Sequence, residues 1–507
     1  MDGWSWADPL HDADSMRATD AWAIEERSVP SLELMEAAGR AVAEAALEVS
    51  AGGPARVVCG KGNNGGDGFV AARHLATMGV EAEVLLLWPV GELSEDARAN
   101  LDRFDGTVRE PGDFDLDRSG VVVDAIFGTG FSGSPRGPAA DAIAAINACH
   151  APCVAADIAS GVDASSGEVE GAAVDAQVTV SFHGPKLGQL IAPGKRHTGL
   201  LRVAEIGIPA GAPVAPAGGV IGPGVLELAP RRGADSTKFT SGQVLIAGGS
   251  RGLTGAVCMA AEAAVRGGAG YATVAVPAGL EAIFEVKLTE VMSVACPDVD
   301  GALAPDAEGP ILEAAQRAAA VVFGPGLGRR DSAGELARAV AEGVVVPLVI
   351  DADGLNALGT GLESLAGRAA PTVITPHAGE LGRLLGVESE AVSRRRLASA
   401  REAASRSGAI VVLKGDDTIV VGPGGEPAVN ALASPALATA GTGDVLTGVL
   451  AAMLARGLAP FDAAAAAVYA HACAGRLAAE RVGAVESVVA TDVIAALPAA
   501  LRGGAEA

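Results

Sequence analysis

A glycine-rich segment near residue 65 combines turn-forming residues with side chains that can bind ligands and move protons. It reads Gly62-Asn63-Asn64-Gly65-Gly66-Asp67-Gly68. The apolar run 56–59 before it is typical of a buried strand, and the pattern over 69–78 predicts a helix. A strand, a glycine-rich turn and a helix in this order favour binding of a phosphorylated ligand. The paired asparagines and Asp67 add side-chain donors and acceptors that a simple phosphate loop does not need.

Two further apolar runs of the first half also end in polar residues. Asp124 leads into a glycine-containing segment, and Asp157 leads into a segment that contains Ser160. The carboxyl ends of parallel strands share one edge of a sheet, so we expect these groups to converge with the first segment. Asn64, Asp124 and Ser160 offer only hard oxygen donors with a single carboxylate, which favours a monovalent cation. The alternative is that each residue only caps a helix or closes a turn.

A second glycine-rich segment, 440–448, reads Ala-Gly-Thr-Gly-Asp-Val-Leu-Thr-Gly. The apolar run after Asp444 predicts a helix, whose first N–H groups would form an anion-binding site with those of 441–443. The positive helix end is expected to hold Asp444 ionised. A carboxylate beside an anion-binding site suits phosphoryl transfer to a hydroxyl, because it can accept the hydroxyl proton. A capped helix without catalytic function is the alternative.

Other segments of the second half place glycine or polar residues directly after predicted strands. None of the glycine-rich segments ends in the Gly-Lys-Ser/Thr of a Walker A motif. His377 lies in a Thr-Pro-His-Ala-Gly-Glu run, where a ligand contact is expected, while Asp351 and Asp353 could equally cap the next helix. The segments are 248–256, 324–328, 351–358, 375–380 and 414–418.

Short β-rich runs alternate with helical runs in both halves, which predicts an α/β fold with mainly parallel sheets covered on both faces. A stretch rich in proline, glycine and alanine interrupts this alternation and predicts a linker. We expect domains over 1–210 and 225–507, with the linker over 211–224. The predicted strands are 56–59, 82–87, 121–124, 153–157, 178–181, 201–204, 244–247, 272–276, 320–323, 348–350, 372–374, 410–413 and 418–421.

The composition argues against some classes of function. A net charge of −24 over 507 residues is unfavourable for general nucleic-acid or membrane binding. The six cysteines form no C-x-x-C pair, so we expect reduced thiols in a cytoplasmic protein. The acidic N-terminus is not typical of a signal peptide, and the apolar stretches are too short to span a bilayer. The alanine-rich helices favour self-association into a homo-oligomer.

Four motifs of the first half match one enzyme family. They lie at 62–68, at 123–130 (Val-Asp-Ala-Ile-Phe-Gly-Thr-Gly), at 157–161 (Asp-Ile-Ala-Ser-Gly) and at 34–39 (Leu-Met-Glu-Ala-Ala-Gly). They resemble the NAD(P)H-hydrate epimerases, a family that has a Rossmann-like three-layer fold and interconverts the R and S forms of hydrated NADH and NADPH. The chain has Ala159 where that family usually has proline, and Ala37 where asparagine is common.

The resemblance implies ligand contacts in this half. Potassium would be held by Asn64, Asp124 and Ser160. Epimerisation at a carbon that bears a hydroxyl and a ring nitrogen needs a reversible shift of a proton or water, for which a positioned carboxylate is suited. Asp157 is the first candidate for this catalytic group and Asp67 the second. The implied substrate contacts are Asn63, Asn64, Gly65, Gly66, Asp67, Gly128, Thr129, Gly130, Phe131, Ser132, Gly133, Ser134 and Asp157.

From about residue 224 to residue 497, the motifs at 248–256, 324–328, 375–380, 414–418 and 441–444 resemble the ribokinase-like NAD(P)H-hydrate dehydratases. The resemblance implies a ribokinase-like three-layer domain that phosphorylates the hydrate hydroxyl and then eliminates phosphate. It implies ADP as the donor, AMP as its product and Mg²⁺ on the phosphates, with Asp444 as the catalytic base. The implied hydrate contacts are Ala256, Gly326, His377 and Asp444, and the implied nucleotide contacts are Lys414, Gly415, Asp416, Asp417, Thr418 and Gly443.

The sequence therefore predicts a bifunctional repair enzyme for hydrated NADH and NADPH (NADHX and NADPHX). The main alternative is a ribokinase-like small-molecule kinase fused to a non-catalytic Rossmann-like binding module, because a fold does not fix a function. Accumulation of a phosphorylated product would favour the kinase. Epimer exchange that survives Asp157→Ala would favour the binding module.

Overall fold

The chain forms two compact units in the computed structural model, which describes residues 4–110, 116–330 and 332–502. The first unit is Pro9–Gly218, and the second contains Trp4–Asp8 together with the chain from Gly219 onward. In these ranges, no helix has both the length and the hydropathy needed to cross a membrane.

The first unit contains a parallel sheet. The first strand along the chain, β1 (Ala7–Leu10), pairs in the other sheet described below. The strands of this sheet are β2 (Ala55–Cys59), β3 (Ala82–Leu86), β4 (Thr107–Arg109), β5 (Val121–Ala125), β6 (Cys153–Ala156), β7 (Val178–Phe182) and β8 (Leu200–Ala204). The helices are α1 (Ala13–Ala21), α2 (Ser31–Val49), α3 (Asn63–Thr77), α4 (Glu95–Leu101), α5 (Pro138–Ala148), α6 (Leu187–Leu190) and α7 (Lys195–Thr198). The sheet order is β4-β3-β2-β5-β6-β7-β8, and every pairing in it is parallel.

Alternate strand residues of this sheet face two separate cores. Val57 and Val123 pack in one core with residues of α2 and α3. Val58 and Val122 pack in the other with residues of α5. Because successive side chains of a strand point to opposite faces, strands covered on both sides become continuously apolar. The predicted Rossmann-like three-layer fold is confirmed.

The strand order of the first sheet reverses between β2 and β5, and open parallel sheets bind ligands at such a point. Helix α3 begins at Asn63, so the prediction of a loop up to residue 68 is wrong, and the glycine-rich segment forms the first turns of the helix. Its glycines let the helix approach β2 closely. A Cβ on Gly65 would clash with the carbonyl oxygen of Gly60, and one on Gly68 would lie 2.7 Å from Cys59 Sγ.

The second unit contains a larger mixed sheet. Its further strands are β9 (Gly218–Ile221), β10 (Gln243–Ala247), β11 (Tyr271–Pro277), β12 (Val291–Cys296), β13 (Asp298–Val299), β14 (Ala302–Leu303), β15 (Ala320–Phe323), β16 (Leu348–Ile350), β17 (Thr372–Ile374), β18 (Ile410–Leu413), β19 (Ile419–Val421) and β20 (Pro427–Val429). The sheet order is β1-β9-β20-β19-β18-β17-β16-β15-β10-β11-β12, and β13 and β14 form a separate hairpin. Pairing is parallel from β18 to β12 and antiparallel from β18 through β20.

Helices cover both faces of the second sheet. They are α8 (Thr254–Arg266), α9 (Glu281–Lys287), α10 (Glu308–Ala315), α11 (Ala333–Gly343), α12 (Asp353–Leu358), α13 (Ala378–Leu385), α14 (Ser389–Arg394), α15 (Arg396–Ser407), α16 (Thr442–Ala455), α17 (Pro460–Val482) and α18 (Ala490–Ala500). One core contains residues of α8, α16, α17 and α18. The alternate strand residues Leu245, Val321 and Val411 are also fully buried, and α10 and α15 pack against the sheet without joining that core. The predicted three-layer arrangement is confirmed here too.

The segment that composition predicts as a linker contains regular structure. Strand β9 begins at Gly218 and pairs with β20, and a short 3₁₀ turn follows at Pro223–Leu228. Strands β4 and β12 were not predicted. All three residues of β4 are exposed, and five of the six residues of β12 are partly buried or exposed at the edge of its sheet. Strand β4 lacks the apolar run by which buried strands are found. Strand β12 has such a run, Val-Met-Ser-Val-Ala-Cys, which the sequence analysis did not identify.

Candidate functional site

A cavity of about 700 Å³ lies at the reversal point of the first sheet. Most of the residues that the sequence predicts as epimerase substrate contacts line it: Asn63, Asn64, Asp67, Gly128, Thr129, Gly130, Phe131, Ser132 and Asp157. Four others do not line the cavity: Gly65, Gly66, Gly133 and Ser134. Gly65 and Gly66 are closely packed, because an added Cβ atom on Gly65 would clash with Gly60 and one on Gly66 would clash with Met35.

Asp157 is held in a defined orientation at the carboxyl end of β6. Its Oδ1 accepts a hydrogen bond of 2.6 Å from Lys186 Nζ, and its Oδ2 accepts from the backbone N–H of Thr129 at 3.0 Å and from the Thr129 hydroxyl. Burial by itself would raise the pKa of Asp157, but the Lys186 ammonium and these hydrogen bonds outweigh it, so the pKa lies below its ordinary value. Asp157 therefore faces the cavity as a carboxylate.

Asp67 and Asp20 also present carboxyl groups to this cavity, but their pKa values are raised, unlike that of Asp157. Burial raises the pKa of Asp67 well above its usual range, and the charges of Asp157 and Asp20 add to this. Burial and then the charge of Asp157 raise the pKa of Asp20 to about 6. The pocket therefore combines an ionised carboxylate with protonated or readily protonated carboxyl groups.

The predicted cation ligands Asn64, Asp124 and Ser160 lie at this edge of the sheet. Asn64 is buried, and both its side-chain amide atoms lack a hydrogen-bond partner among the described residues. Asp124 is fully buried, and within those residues no basic side chain lies within ion-pair distance of it. Its carboxylate accepts hydrogen bonds from the Ser160 hydroxyl at 2.6 Å and from the Ser160 N–H at 2.8 Å. Burial raises the pKa of Asp124 to about 6.

This chemistry fits a potassium ion. A buried amide oxygen without a partner and a buried carboxyl group without a counter-charge among the described residues are each costly to leave unsatisfied. A monovalent cation would supply that charge, and oxygen ligands are the kind that hard cations prefer. The residues present are therefore compatible with the predicted site.

Aromatic side chains form part of the cavity wall. Phe127 and Phe131 stack with ring centroids 4.4 Å apart, and Trp88 lies 6.0 Å from Phe127. All three line the cavity. Flat apolar surfaces of this kind suit a planar ring.

In the second unit, Asp444 occupies the first turn of α16, whose N-cap is Gly441 in a left-handed conformation. The expectation that the helix end keeps Asp444 ionised is wrong. Burial raises the pKa of Asp444 to about 7, and the charge of Asp351 adds to this more than Lys414 offsets. The carboxyl group is thus close to half ionised near neutral pH, which is the range in which a general base works well.

Asp351 connects three elements beneath this helix end. Its Oδ1 accepts a hydrogen bond of 2.8 Å from Lys414 Nζ, and its Oδ2 accepts one of 2.7 Å from the Thr447 hydroxyl on α16. Burial alone would raise the pKa of Asp351, but Lys414 lowers it below its ordinary value. Lys414 Nζ also lies 3.7 Å from Glu380 Oε2 and 3.5 Å from the place that a Cβ on Gly443 would take. The lysine thus lies against the glycine-rich turn before Asp444.

The other predicted contacts of the second unit also lie at strand ends. A Cβ on Gly326 would lie 3.2 Å from Ala256 Cβ, so these two meet where the sheet order reverses between β10 and β15. His377 is the N-cap of α13, and its Nδ1 accepts hydrogen bonds from the N–H groups of Gly379 and Glu380. The side chain of His377 is about half exposed. Its partial burial lowers its pKa, so the ring is neutral at physiological pH.

The predicted nucleotide segment 414–418 presents only some of its side chains. Asp417 is buried and forms an ion pair of 2.8 Å with Arg396, and the Thr418 hydroxyl donates to the carbonyl oxygen of Gly415. These two side chains shape the turn. A ligand at this segment would therefore meet chiefly Lys414, the exposed Asp416 and backbone groups.

Sequence reasoning missed Lys186 and Asp20 as site residues, and it left Asp351 open between a site residue and a helix cap. Lys186 and Asp351 follow strands β7 and β16, so the strand-end rule that selected Asp124 favours both. Asp20 lies on α1, and nothing in the sequence links it to residues more than forty positions away. Only the tertiary structure places Asp20 in the cavity wall.

Comparison with known proteins assigns both halves of the chain to families. Residues 31–188 match the family model "YjeF-related protein N-terminus", and residues 244–499 match "NAD(P)H-hydrate dehydratase". The bifunctional NAD(P)H-hydrate repair enzyme Nnr of Moorella thermoacetica is 40% identical over 512 residues, spanning 97% of this chain and 96% of its own length. The enzyme of the same name from Salinibacter ruber is 40% identical and spans 97% and 95%.

The chain belongs to the bifunctional NAD(P)H-hydrate repair enzymes. The match extends over nearly the whole chain, which supports the two-activity interpretation and not the kinase alternative. Among solved structures, the ADP/ATP-dependent NAD(P)H-hydrate dehydratase of Bacillus subtilis, co-crystallized with ATP and Mg²⁺, is 28% identical, covers 55% of this chain and 95% of its own, and has a TM-score of 0.46. As a member of this repair-enzyme family, the protein combines an epimerase domain with a dehydratase domain.

Proposed function

We propose that the cavity of the first unit interconverts the R and S forms of NADHX and NADPHX, and that the Asp444 site dehydrates the S form with ADP. The observation that carries the proposal is the position of Asp444, a partly buried carboxyl group in the first turn of α16 beside Lys414. A base next to a helix N-terminus provides both groups that phosphoryl transfer to a hydroxyl requires.

The dehydration follows from leaving-group chemistry. The hydroxyl oxygen of the hydrate attacks the terminal phosphorus of ADP while Asp444 accepts the hydroxyl proton. AMP is the leaving group. The hydroxyl oxygen then departs as phosphate, a far better leaving group than hydroxide, while the neighbouring carbon loses a proton and the ring double bond forms again. The products are NADH or NADPH, AMP and phosphate.

Charge around the phosphate site supports a cation bound with the nucleotide. Four carboxyl groups interact there, those of Asp351, Asp353, Glu380 and Asp444, against the ammonium of Lys414 and the guanidinium of Arg329, which lies 3.5 Å from Asp353. This surplus fits Mg²⁺, which would neutralise charge on the phosphates when bound. We infer that Lys414 to Thr418 and Gly443 position the nucleotide, and that Ala256, Gly326 and His377 face the hydrate.

In the first unit, Asn64, Asp124 and Ser160 would hold potassium and thereby fix the position of α3 against β5 and β6. The aromatic wall and the carboxyl groups would then hold the damaged nicotinamide ring. Epimerisation supplies the S form to the second site, so that both epimers are repaired.

An assay with mixed epimers tests this function. Wild-type protein with ADP or ATP should restore reduced-nicotinamide absorbance to completion, with one phosphate released for each ring repaired. Asp444→Ala should lower dehydration by roughly 10²–10⁴-fold, the range lost with a general base, while epimer exchange continues. Asp306→Ala, which changes an exposed carboxylate of the same unit, is the control. A stable phosphorylated product, or loss of both activities in Asp444→Ala, would contradict the proposal.

A further inference from the structure

Three carboxyl groups meet at the cavity of the first unit, and a buried lysine contacts one of them. Asp20 of α1, Asp67 of α3 and Asp157 after β6 all line the cavity. Lys186 is fully buried and does not line it. Because three carboxylates cannot all be ionised at low cost in one buried site, a cation that contacts one of them determines where the charge lies.

The contacts of Lys186 assign that charge to Asp157. Its Nζ donates hydrogen bonds to Asp157 Oδ1 at 2.6 Å, to Ser181 Oγ at 3.0 Å and to the carbonyl oxygen of Phe182 at 2.9 Å. An ammonium group has three donors, and all three are used. Lys186 therefore acts on the substrate only through Asp157.

Asp67 has the opposite surroundings. In the described part of the chain, no basic side chain lies within ion-pair distance of its carboxyl group. It is buried in the first turns of α3 and faces the same cavity as Asp157. The direction of its pKa, raised by burial and then by Asp157 and Asp20, agrees with a protonated group.

We propose that epimerisation uses two unlike carboxyl groups, with Asp67 as the acid and Asp157 as the base, and with Lys186 as the positioning residue that keeps Asp157 ionised. This division of roles rests on the proposed epimerase function and adds a specific assignment to it.

The step is balanced in protons. The reacting carbon bears a hydroxyl and the ring nitrogen, so the nitrogen lone pair can expel the hydroxyl once Asp67 protonates it. The C–O bond breaks, water leaves and a planar C=N⁺ bond forms. A water molecule then adds to the other face and gives a proton to Asp157, which forms the opposite epimer. The proton returns to Asp67 through water in the cavity.

Other titratable groups surround this pair and enter its pH dependence. Asp20 faces both carboxyl groups from α1, and Arg17, Lys61 and Asp96 also line the cavity. His11 and His183 lie beside Lys186, and burial lowers the pKa of both, so they are neutral at physiological pH. Of these groups, only Lys186 touches Asp157 as a cation in the described structure.

The test measures R-to-S exchange of the full-length protein by chromatography, without nucleotide, as a function of pH. Asp67→Asn should lower kcat by roughly 10²–10⁴-fold, the usual loss with a general acid. In Lys186→Met the burial of Asp157 is no longer offset, so the acidic limb of kcat/KM should move to higher pH and activity should recover as pH rises. Lys195→Met, on α7 and outside the cavity, should keep the wild-type profile.

The outcomes separate this assignment from the function itself. Wild-type protein that fails to exchange the epimers would contradict the proposed function. If wild type exchanges them, a Lys186→Met profile that is lowered equally at every pH would overturn the positioning role. Near-normal kcat in Asp67→Asn would overturn the acid assignment, and this variant decides the matter if Lys186→Met does not fold.

Discussion

Lys414 Nζ lies 2.8 Å from Asp351 Oδ1, and this ion pair joins the carboxyl ends of β18 and β16 beside the N-terminus of α16. The Thr447 hydroxyl of α16 donates to the other oxygen of the same carboxylate. Asp351 thus fixes the position of both the lysine and the helix that carries Asp444. The negative charge of Asp351 raises the pKa of Asp444, and the positive charge of Lys414 lowers it. The ion pair therefore influences the protonation state of the proposed base.

Asp351→Asn should change the pH dependence of dehydration. The pKa of Asp444 is raised to about 7 by burial first and by Asp351 second, so removing the Asp351 charge lowers it. Activity that requires the ionised base rises as pH passes through this pKa, so the acidic limb of kcat/KM should move to lower pH. Steady-state kinetics with the pure S epimer measures it. The same limb in wild type and variant would show that Asp351 does not act on the base.

Potassium should stabilise the protein against heat. The side chain of Asn64 is buried and has no hydrogen-bond partner within the described ranges, whereas Asn63 Oδ1 accepts a hydrogen bond from Ser94. At a potassium concentration of about 100 times Kd, the stabilisation of the first unit should be about 2.7 kcal/mol. Thermal unfolding in potassium chloride, compared with choline chloride of equal ionic strength, measures it. Asn64→Ala should lose the response and the matched variant Asn63→Ala should keep it; an equal response in both would argue against this site.

Two neighbouring glycines of the first unit should differ in their tolerance of a methyl group. A Cβ on Gly65 would clash with the carbonyl of Gly60, while one on Gly62 would meet no atom within 4 Å. Gly65→Ala should therefore destabilise the unit by about 1–3 kcal/mol, as overpacking does. Gly62→Ala should change the free energy of unfolding by less than about 1 kcal/mol. Urea unfolding compares them, and equal effects would mean that close approach of α3 to β2 is not required.

Trp6 should contribute to the stability of the second unit. Its ring is buried in the main core of that unit, and its Nε1 donates to Asp462 Oδ1 at 3.1 Å. Trp6→Ala should cost about 3–5 kcal/mol, and Trp6→Phe, which keeps a ring but loses the hydrogen bond, only about 1 kcal/mol. The temperature at which dehydratase activity is lost measures the stability of this unit. Unchanged inactivation in Trp6→Ala would show that the N-terminal segment is dispensable for it.

Much of the fold could be predicted from the sequence because its signals are local. Thirteen predicted strands fall within about two residues of observed ones, since strands covered on both faces are continuous apolar runs. The order of elements then placed polar motifs at strand ends, which lie together in a parallel sheet. Exposed edge strands such as β4 lack such a run and were missed.

The amino-acid sequence by itself determined the two α/β units and the strand ends at which the candidate site residues lie. Only the tertiary structure decided that Asp20 and Lys186 join Asp157, that residues 4–8 belong to the second unit, and that Asp444 has a raised pKa. The physical reason is that secondary structure follows from neighbours along the chain, whereas protonation and cavity composition depend on burial and on charges distant in sequence.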